Sequence, residues 1–247
     1  RTPVEFCTVT AVIAVTVQNS TGVRGFTEIP ADVVAAQIEA VATDMGVAAA
    51  KTGMLATAEI IVAVAEACDR VGIGGSGPTP LVVDPVAAAM TGDPLLRDDA
   101  LEALRTEMFP RATLATPNLD EVRMLTGIDV RTPVDQRATA AALVGLGARW
   151  ALVKGGHMRE APDCVDLLYG DGEFHELPGP RFDTQNTHGG GDTLAASISA
   201  AMARGATVPD AVAFGKRFIV RAVRESYPLG KGVGPVSPFW RLSDEDV

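Results

Sequence analysis

Residues 186–197 read NTHGGGDTLAAS, three glycines running into an aspartate and then into a small-residue segment of helical character. Glycines ahead of a helix leave backbone N–H groups bare. With the positive end of the helix dipole they make an anion site, suited to a phosphate or to a phosphoryl group in transit. The plainer reading of Gly189, Gly190 and Gly191 is a flexible turn, and the pattern alone does not separate the two. Asp192 also has two readings. It is a helix N-cap carboxylate, or a base that accepts a hydroxyl proton during phosphoryl transfer, whose loose transition state asks mainly for positioning and charge stabilisation.

Other polar residues stand where apolar runs end, the positions from which side chains reach the cleft of an α/β sheet. Asp84 ends LVVDP (81–85), and Glu121 follows TPN at a strand-to-helix turn. A carboxylate pair there suits Mg²⁺ held through waters. Taken singly, Asp84 reads more simply as a turn residue before Pro85, and Glu121 as an acid in the first turn of a helix. Lys154 ends WALVKGG (150–156), where it meets nucleotide phosphates or solvent. Gln18, Asn19, Lys51, Met54 and Asn118 also stand at strand ends, as does the stretch 187–192, in which Thr187 is a further candidate for ATP phosphate. His157 and His188 read as loop residues and His175 as an exposed hairpin residue, so no histidine metal site is expected. The Walker phosphate loop, the Gly-x-Gly-x-x-Gly opening of a first βα unit and the Gly-x-Ser-x-Gly elbow are absent from the sequence.

The elements that must position these residues follow from apolar patterning. CTVTAVIAVTVQ (7–18) is expected to be a buried strand, 47–55 a short strand, 81–85 a buried strand, and 112–118 and 150–156 further strands. The segment 164–177 is expected to be a hairpin turning at Gly170-Asp171-Gly172. Helices are expected over 30–45, 57–72, 97–109, 119–127, 133–147, 192–204 and 207–226. The alternation predicts a parallel-sheet α/β domain with helices on both faces. The 247 residues, 47% hydrophobic, suffice for one large core. A net charge of −10 argues against nucleic-acid binding, which needs a basic footprint. No apolar run is long enough to cross a bilayer, and no signal peptide is read. Cys7, Cys68 and Cys164 form no CxxC pair, as expected of reduced thiols in a cytoplasmic protein.

THGGGDTLAAS (187–197) resembles the anion-hole and base segment of the ribokinase superfamily. VTVQNSTGV (15–23), KTGML (51–55), VVDPV (82–86), TPNLDE (116–121), VKGGH (153–157) and GVGPVSP (232–238), in this order, resemble the hydroxymethylpyrimidine/phosphomethylpyrimidine kinases of thiamine biosynthesis over nearly the whole chain. The resemblance implies a three-layer α/β/α ribokinase-like sandwich with a mostly parallel central sheet. It implies ATP- and Mg²⁺-dependent phosphorylation of 4-amino-5-hydroxymethyl-2-methylpyrimidine or its monophosphate. It places Gln18 on the aminopyrimidine edge and Met54 and Val86 against the ring. Asn118 and Glu121 fall on the nucleotide and Mg²⁺ side, and Lys154 on the phosphate side. Gly189, Gly190 and Gly191 fall in the anion hole, and Asp192 on the base. Many members carry cysteine at the position of Asp192, whereas pyridoxal kinases carry aspartate. A pyridoxal kinase is therefore the nearest alternative, and a non-catalytic pyrimidine- or vitamin-binding homologue the other. The resemblance also suggests a homodimer and a single domain over 1–247, with a native N-terminal strand and a Gly-rich segment like SGGGAGIQAD missing from this sequence.

Overall fold

The computed structural model describes residues 10–87, 96, 99–157 and 163–240. The chain forms a two-stranded ribbon, β1 (Ala14–Asn19) and β2 (Gly22–Glu28), and a separate six-stranded sheet. The sheet contains β3 (Ala50–Thr52), β4 (Leu81–Val83), β5 (Leu114–Ala115), β6 (Trp150–Val153), β7 (Asp166–Gly170) and β8 (Glu173–Leu177), side by side in chain order. β3 to β6 run parallel, and β7 and β8 close the sheet antiparallel. The helices are α1 (Ala31–Met45), α2 (Ala58–Val71), α3 (Ala100–Ala103), α4 (Leu119–Thr126), α5 (Pro133–Gly145), α6 (Gly190–Ala203) and α7 (Val208–Arg224).

Side chains alternate along each strand and so divide the core in two. Leu81, Val83, Ala115, Ala151 and Val153 pack with Ile61 of α2, Leu104 beyond α3 and Leu125 of α4. Val82, Leu114, Trp150 and Leu152 pack on the other face with Leu194 and Ile198 of α6 and Val212 of α7. These are the three layers of an α/β/α sandwich, as expected. Local signals set the helix ends. Thr57 caps α2 by accepting from the Ile60 N–H at 3.3 Å, and Gly72 ends it at φ 74°. Thr132 and Asp135 form a reciprocal capping box at the start of α5, behind Pro133.

The expectation for 7–18 is corrected. Residues 7–9 lie outside the described residues, 10–13 are not strand, and β1 is largely exposed, with Val15 at 57% and Val17 at 59%. A β-branched apolar run reads alike whether or not a neighbour covers it, and among the described residues its strand partner is β2 alone. The turn between them is set by Asn19, whose side chain accepts from both the N–H (2.9 Å) and the hydroxyl (2.7 Å) of Thr21. The start of the helix expected over 97–109 lies outside the described residues. The rest is α3 continued by a wider turn over Leu104–Met108 and a tighter one over Phe109–Arg111. The 164–177 hairpin turns as expected, with positive φ at Asp171 (49°) and Gly172 (84°).

No described helix is long and apolar enough to cross a membrane. Cys68 is buried in α2, and that burial, reinforced by the neighbouring charge of Asp69, pushes its thiol up to about 11. Thiolate is the reactive form, so iodoacetamide at about pH 8 is expected to spare Cys68 in the folded protein and label it after denaturation. Peptide mass spectrometry checks this. Labelling of the native protein at the rate of a free peptide thiol would contradict it.

Candidate active site

The parallel strands end side by side, and the residues just beyond them meet the first turn of α6. Asp84 follows β4, its N–H held by the Thr52 carbonyl at 3.1 Å. It is 2% exposed, and its Oδ1 accepts from Lys154 Nζ at 3.0 Å and from the Thr116 hydroxyl at 3.2 Å. Asn118 caps α4, accepting from the Glu121 N–H at 2.9 Å, and the Glu121 carboxylate accepts in return from the Asn118 N–H at 2.8 Å. The other Glu121 oxygen takes the Ala87 N–H at 3.2 Å. Glu121 is thus both a first-turn acid and a buried one. Burial pushes its carboxyl above the ordinary value; Lys154 opposes that push and Asp84 adds to it. For Lys154 burial works downward, but the Asp84 and Glu121 charges overcome it and hold the ammonium above its ordinary value. The cluster sets two buried carboxylates against one ammonium.

Gly189 takes φ 75° and turns the chain into α6, which begins at Gly190. Asp192 is therefore the third residue of the helix and not its N-cap. The Gly190 N–H is given to the Thr187 carbonyl at 3.0 Å. Among the described residues, the amides of Gly191 and Asp192 remain the open donors of that first turn. Gly191 faces the buried cluster: a Cβ built there would lie 3.3 Å from Lys154 Nζ and 3.4 Å from Asp84 Oδ2. Gly53 plays the same part beyond β3. A Cβ there would lie 3.0 Å from Lys51 Nζ, 3.5 Å from Asp192 Oδ1 and 3.8 Å from Val86 Cγ2. These two glycines keep open the space between the strand ends and α6.

Of the residues singled out in the sequence, Asp84, Glu121, Asn118 and Lys154 come together, and Gly191 joins them to Asp192. Thr187 sits one turn upstream with its carbonyl on Gly190. Val86 adopts φ 44°, a strained state for a β-branched residue, costing about 1–3 kcal/mol. Met54 is half-buried against the α1–α5 side of the core. Gln18 is exposed on the ribbon and hydrogen-bonds none of these groups among the described residues. What ties the ribbon to the site is Ser20, which the sequence reading did not single out. Its carbonyl accepts from the Val233 N–H at 2.9 Å, and its hydroxyl from the Lys231 and Gly232 amides at 3.2 Å each. The same GVGPVSP segment pairs with His188 through the Gly234 carbonyl and the Val236 N–H, each at 3.0 Å. Lys51 was noted only as a polar strand end, yet its Nζ lies 2.6 Å from Asp192 Oδ1. Among the described residues, no group of three or more His, Cys, Asp or Glu converges on a metal position.

A glycine-opened helix carrying a carboxylate, with a buried lysine facing its first turn, is an arrangement for phosphoryl transfer. The family model described as phosphomethylpyrimidine kinase matches residues 3–237. The chain belongs to that family. The hydroxymethylpyrimidine/phosphomethylpyrimidine kinase of Mycobacterium leprae is 58% identical over 236 residues, covering 94% of this chain and 83% of that protein. Among solved structures, the ADP complex of the Bacillus subtilis pyridoxal kinase superposes with a TM-score of 0.83 at 32% identity, over 94% of this chain and 86% of that one. The phosphomethylpyrimidine kinase of Clostridium difficile gives 0.73 at 30% identity, over 86% and 85%. The kinase therefore has the ribokinase-like fold of these neighbours, and it is a phosphotransferase.

Proposed function

We propose that this kinase transfers the γ-phosphoryl group of ATP to 4-amino-5-hydroxymethyl-2-methylpyrimidine or its monophosphate, in thiamine biosynthesis. The observation that carries the reading is the first turn of α6, where Asp192 and two open amides stand beside the Lys154–Asp84 pair. The identity of 58% to a kinase named for these two substrates supports the choice of ring. With the pyrimidine alcohol as acceptor, Asp192 takes the proton of the attacking hydroxymethyl group; with the monophosphate the attacking atom is a phosphate oxygen, already deprotonated near neutral pH, and no base is needed. The amides of Gly191 and Asp192 face the charge on the transferring phosphoryl group, and Lys154 offsets charge on the nucleotide phosphates.

Asp84 and Glu121 fit Mg²⁺ held through water. Their cluster carries one more negative than positive charge, and Asp84 Oδ2 accepts no hydrogen bond among the described residues and is turned toward Gly191. Both Glu121 oxygens are held by backbone N–H groups, so its share is electrostatic. When bound, the ion would neutralise phosphate charge.

Pyridoxal is the second acceptor to test, because the Bacillus subtilis pyridoxal kinase superposes with a TM-score of 0.83. ADP release is measured with hydroxymethylpyrimidine, its monophosphate and pyridoxal side by side. A pyrimidine is expected to exceed pyridoxal by at least about tenfold in kcat/KM, the low end of what a change of fit in a binding pocket supplies. Faster turnover of pyridoxal would reassign the substrate. Binding of a pyrimidine without ADP release would favour a non-catalytic homologue.

A further inference from the structure

Lys154, just beyond β6, has a part in the transfer step, but a second lysine, Lys51, stands in β3 at the other end of the parallel strands, and no part of that step falls to it. Lys51 Nζ donates to Asp192 Oδ1 at 2.6 Å, between residues 141 apart in the chain. That is a short, charge-assisted contact. The lysine side chain is 22% exposed and the aspartate side chain 61%. The anchor is thus the better-fixed partner, and the carboxylate it holds stands open to solvent. Gly53 lies beneath them without a side chain; a Cβ there would press on the Lys51 ammonium at 3.0 Å and touch Asp192 Oδ1 at 3.5 Å. Among the described residues, Asp192 Oδ2 accepts no hydrogen bond.

We infer that Lys51 is the positioning residue for the base: it holds Asp192 through Oδ1 so that Oδ2 alone faces the acceptor hydroxyl. An exposed aspartate on the first turn of a helix can otherwise rotate about both side-chain torsions. Its carboxylate would then swing toward the open amides of its own helix, the very donors the phosphoryl group needs. The tether removes that competition. It leaves one oxygen for the proton and the amides of Gly191 and Asp192 for the phosphoryl group. During transfer the O–H bond of the acceptor breaks, its proton goes to Oδ2, and the hydroxyl oxygen bonds phosphorus as the bond to ADP breaks. The ammonium of Lys51 keeps its proton throughout.

The inference rests on the functional reading of Asp192 as base, and the experiment separates the two. Lys51→Met, Lys51→Ala and Lys51→Arg are assayed with whichever of the two hydroxymethyl acceptors, hydroxymethylpyrimidine or pyridoxal, the wild type phosphorylates, so a wrong choice of ring does not affect the outcome. Lys51→Met is expected to lower kcat about 10²-fold, the cost of a small misplacement of a catalytic group, with the KM for ATP and for the acceptor within about threefold of wild type. Lys51→Arg is expected to recover part of the loss, and added ethylamine to restore part of the Lys51→Ala turnover. In the Asp192→Asn background Lys51→Met is expected to cost nothing further, because the lysine acts through the carboxylate. A full multiplicative loss there, or a change confined to the KM for ATP, overturns the inference. If the wild type phosphorylates neither hydroxymethyl acceptor, the reading of Asp192 as base fails, and the tether is judged by crystallography instead. One Asp192 orientation in the wild type and two or more in Lys51→Met support it. Lys51 Nζ and Asp192 out of hydrogen-bond reach in the wild-type crystal overturns it.

Discussion

Asp192→Asn is expected to lower kcat by about 10²–10⁴-fold, the range in which a positioned general base contributes, while leaving the fold intact. Asparagine keeps the size of the side chain but cannot take the hydroxyl proton. It also leaves Lys51 Nζ facing a neutral amide at the position where Oδ1 stood. Little stability should go with it. The Asp192 side chain is 61% exposed, and an ion pair so open to water is worth about 0–1 kcal/mol. The thermal midpoint is therefore expected to stay within about 2–4 °C of wild type, the shift that 1 kcal/mol produces in a chain of this size. The KM for ATP should also hold, because the proposed function sets the nucleotide phosphates against Lys154 and the amides and not against the carboxylate. Turnover within about threefold of wild type would remove Asp192 from the base role. A collapsed melting curve would show that it is structural first.

The strand ends were legible in the sequence because each apolar run stops at a polar residue, and parallel strands deliver such stops to one edge. Asp84, Lys154 and Glu121 could thus be collected before their contacts were known. The glycine run was legible as the mouth of a helix, but its register was not. The helix begins at Gly190 and not at Asp192, although glycine disfavours helix. The glycine is explained by tertiary contact: a Cβ at Gly191 would lie 3.3 Å from Lys154 Nζ and 3.4 Å from Asp84 Oδ2, so even the smallest side chain would reach the buried pair. Lys51 escaped because its partner lies 141 residues away and no local pattern links the two. The positive φ of Val86 escaped for the opposite reason, since a β-branched residue gives no sign that it will be held in that state. Exposure of the β1 valines, too, depends on what packs against the ribbon, which period and composition do not encode.

Lys154→Met is expected to damage both stability and turnover. Lys154 is 15% exposed, and Asp84, its partner at 3.0 Å, is 3% exposed by side chain. Removing one member of such a pair leaves the other charge buried without compensation, at about 3–5 kcal/mol. A loss of about 3 kcal/mol lowers the thermal midpoint by about 6–12 °C. The pH dependence separates this cause from a mere packing defect. Burial already holds the Glu121 carboxyl above its ordinary value, and Lys154 is the main charge pulling it back. A carboxyl whose folded pKa is raised destabilises the fold when ionised, and the penalty is relieved as pH falls through that pKa. Without Lys154 the penalty grows, so the deficit in thermal midpoint between variant and wild type should be largest near about pH 8 and shrink toward about pH 5. The wild type has its own term of opposite sense. Lys154, with its pKa raised, contributes stability that is complete below the ordinary lysine value and fades only as pH rises through the raised one, so it does not vary over this window. Asp84→Asn placed on Lys154→Met removes one of the two stranded carboxylates and is expected to recover part of the deficit without restoring turnover. A deficit that is flat with pH and unchanged by Asp84→Asn would mean that the lysine contributes through its aliphatic stem, and the electrostatic account of the cluster would have to be given up.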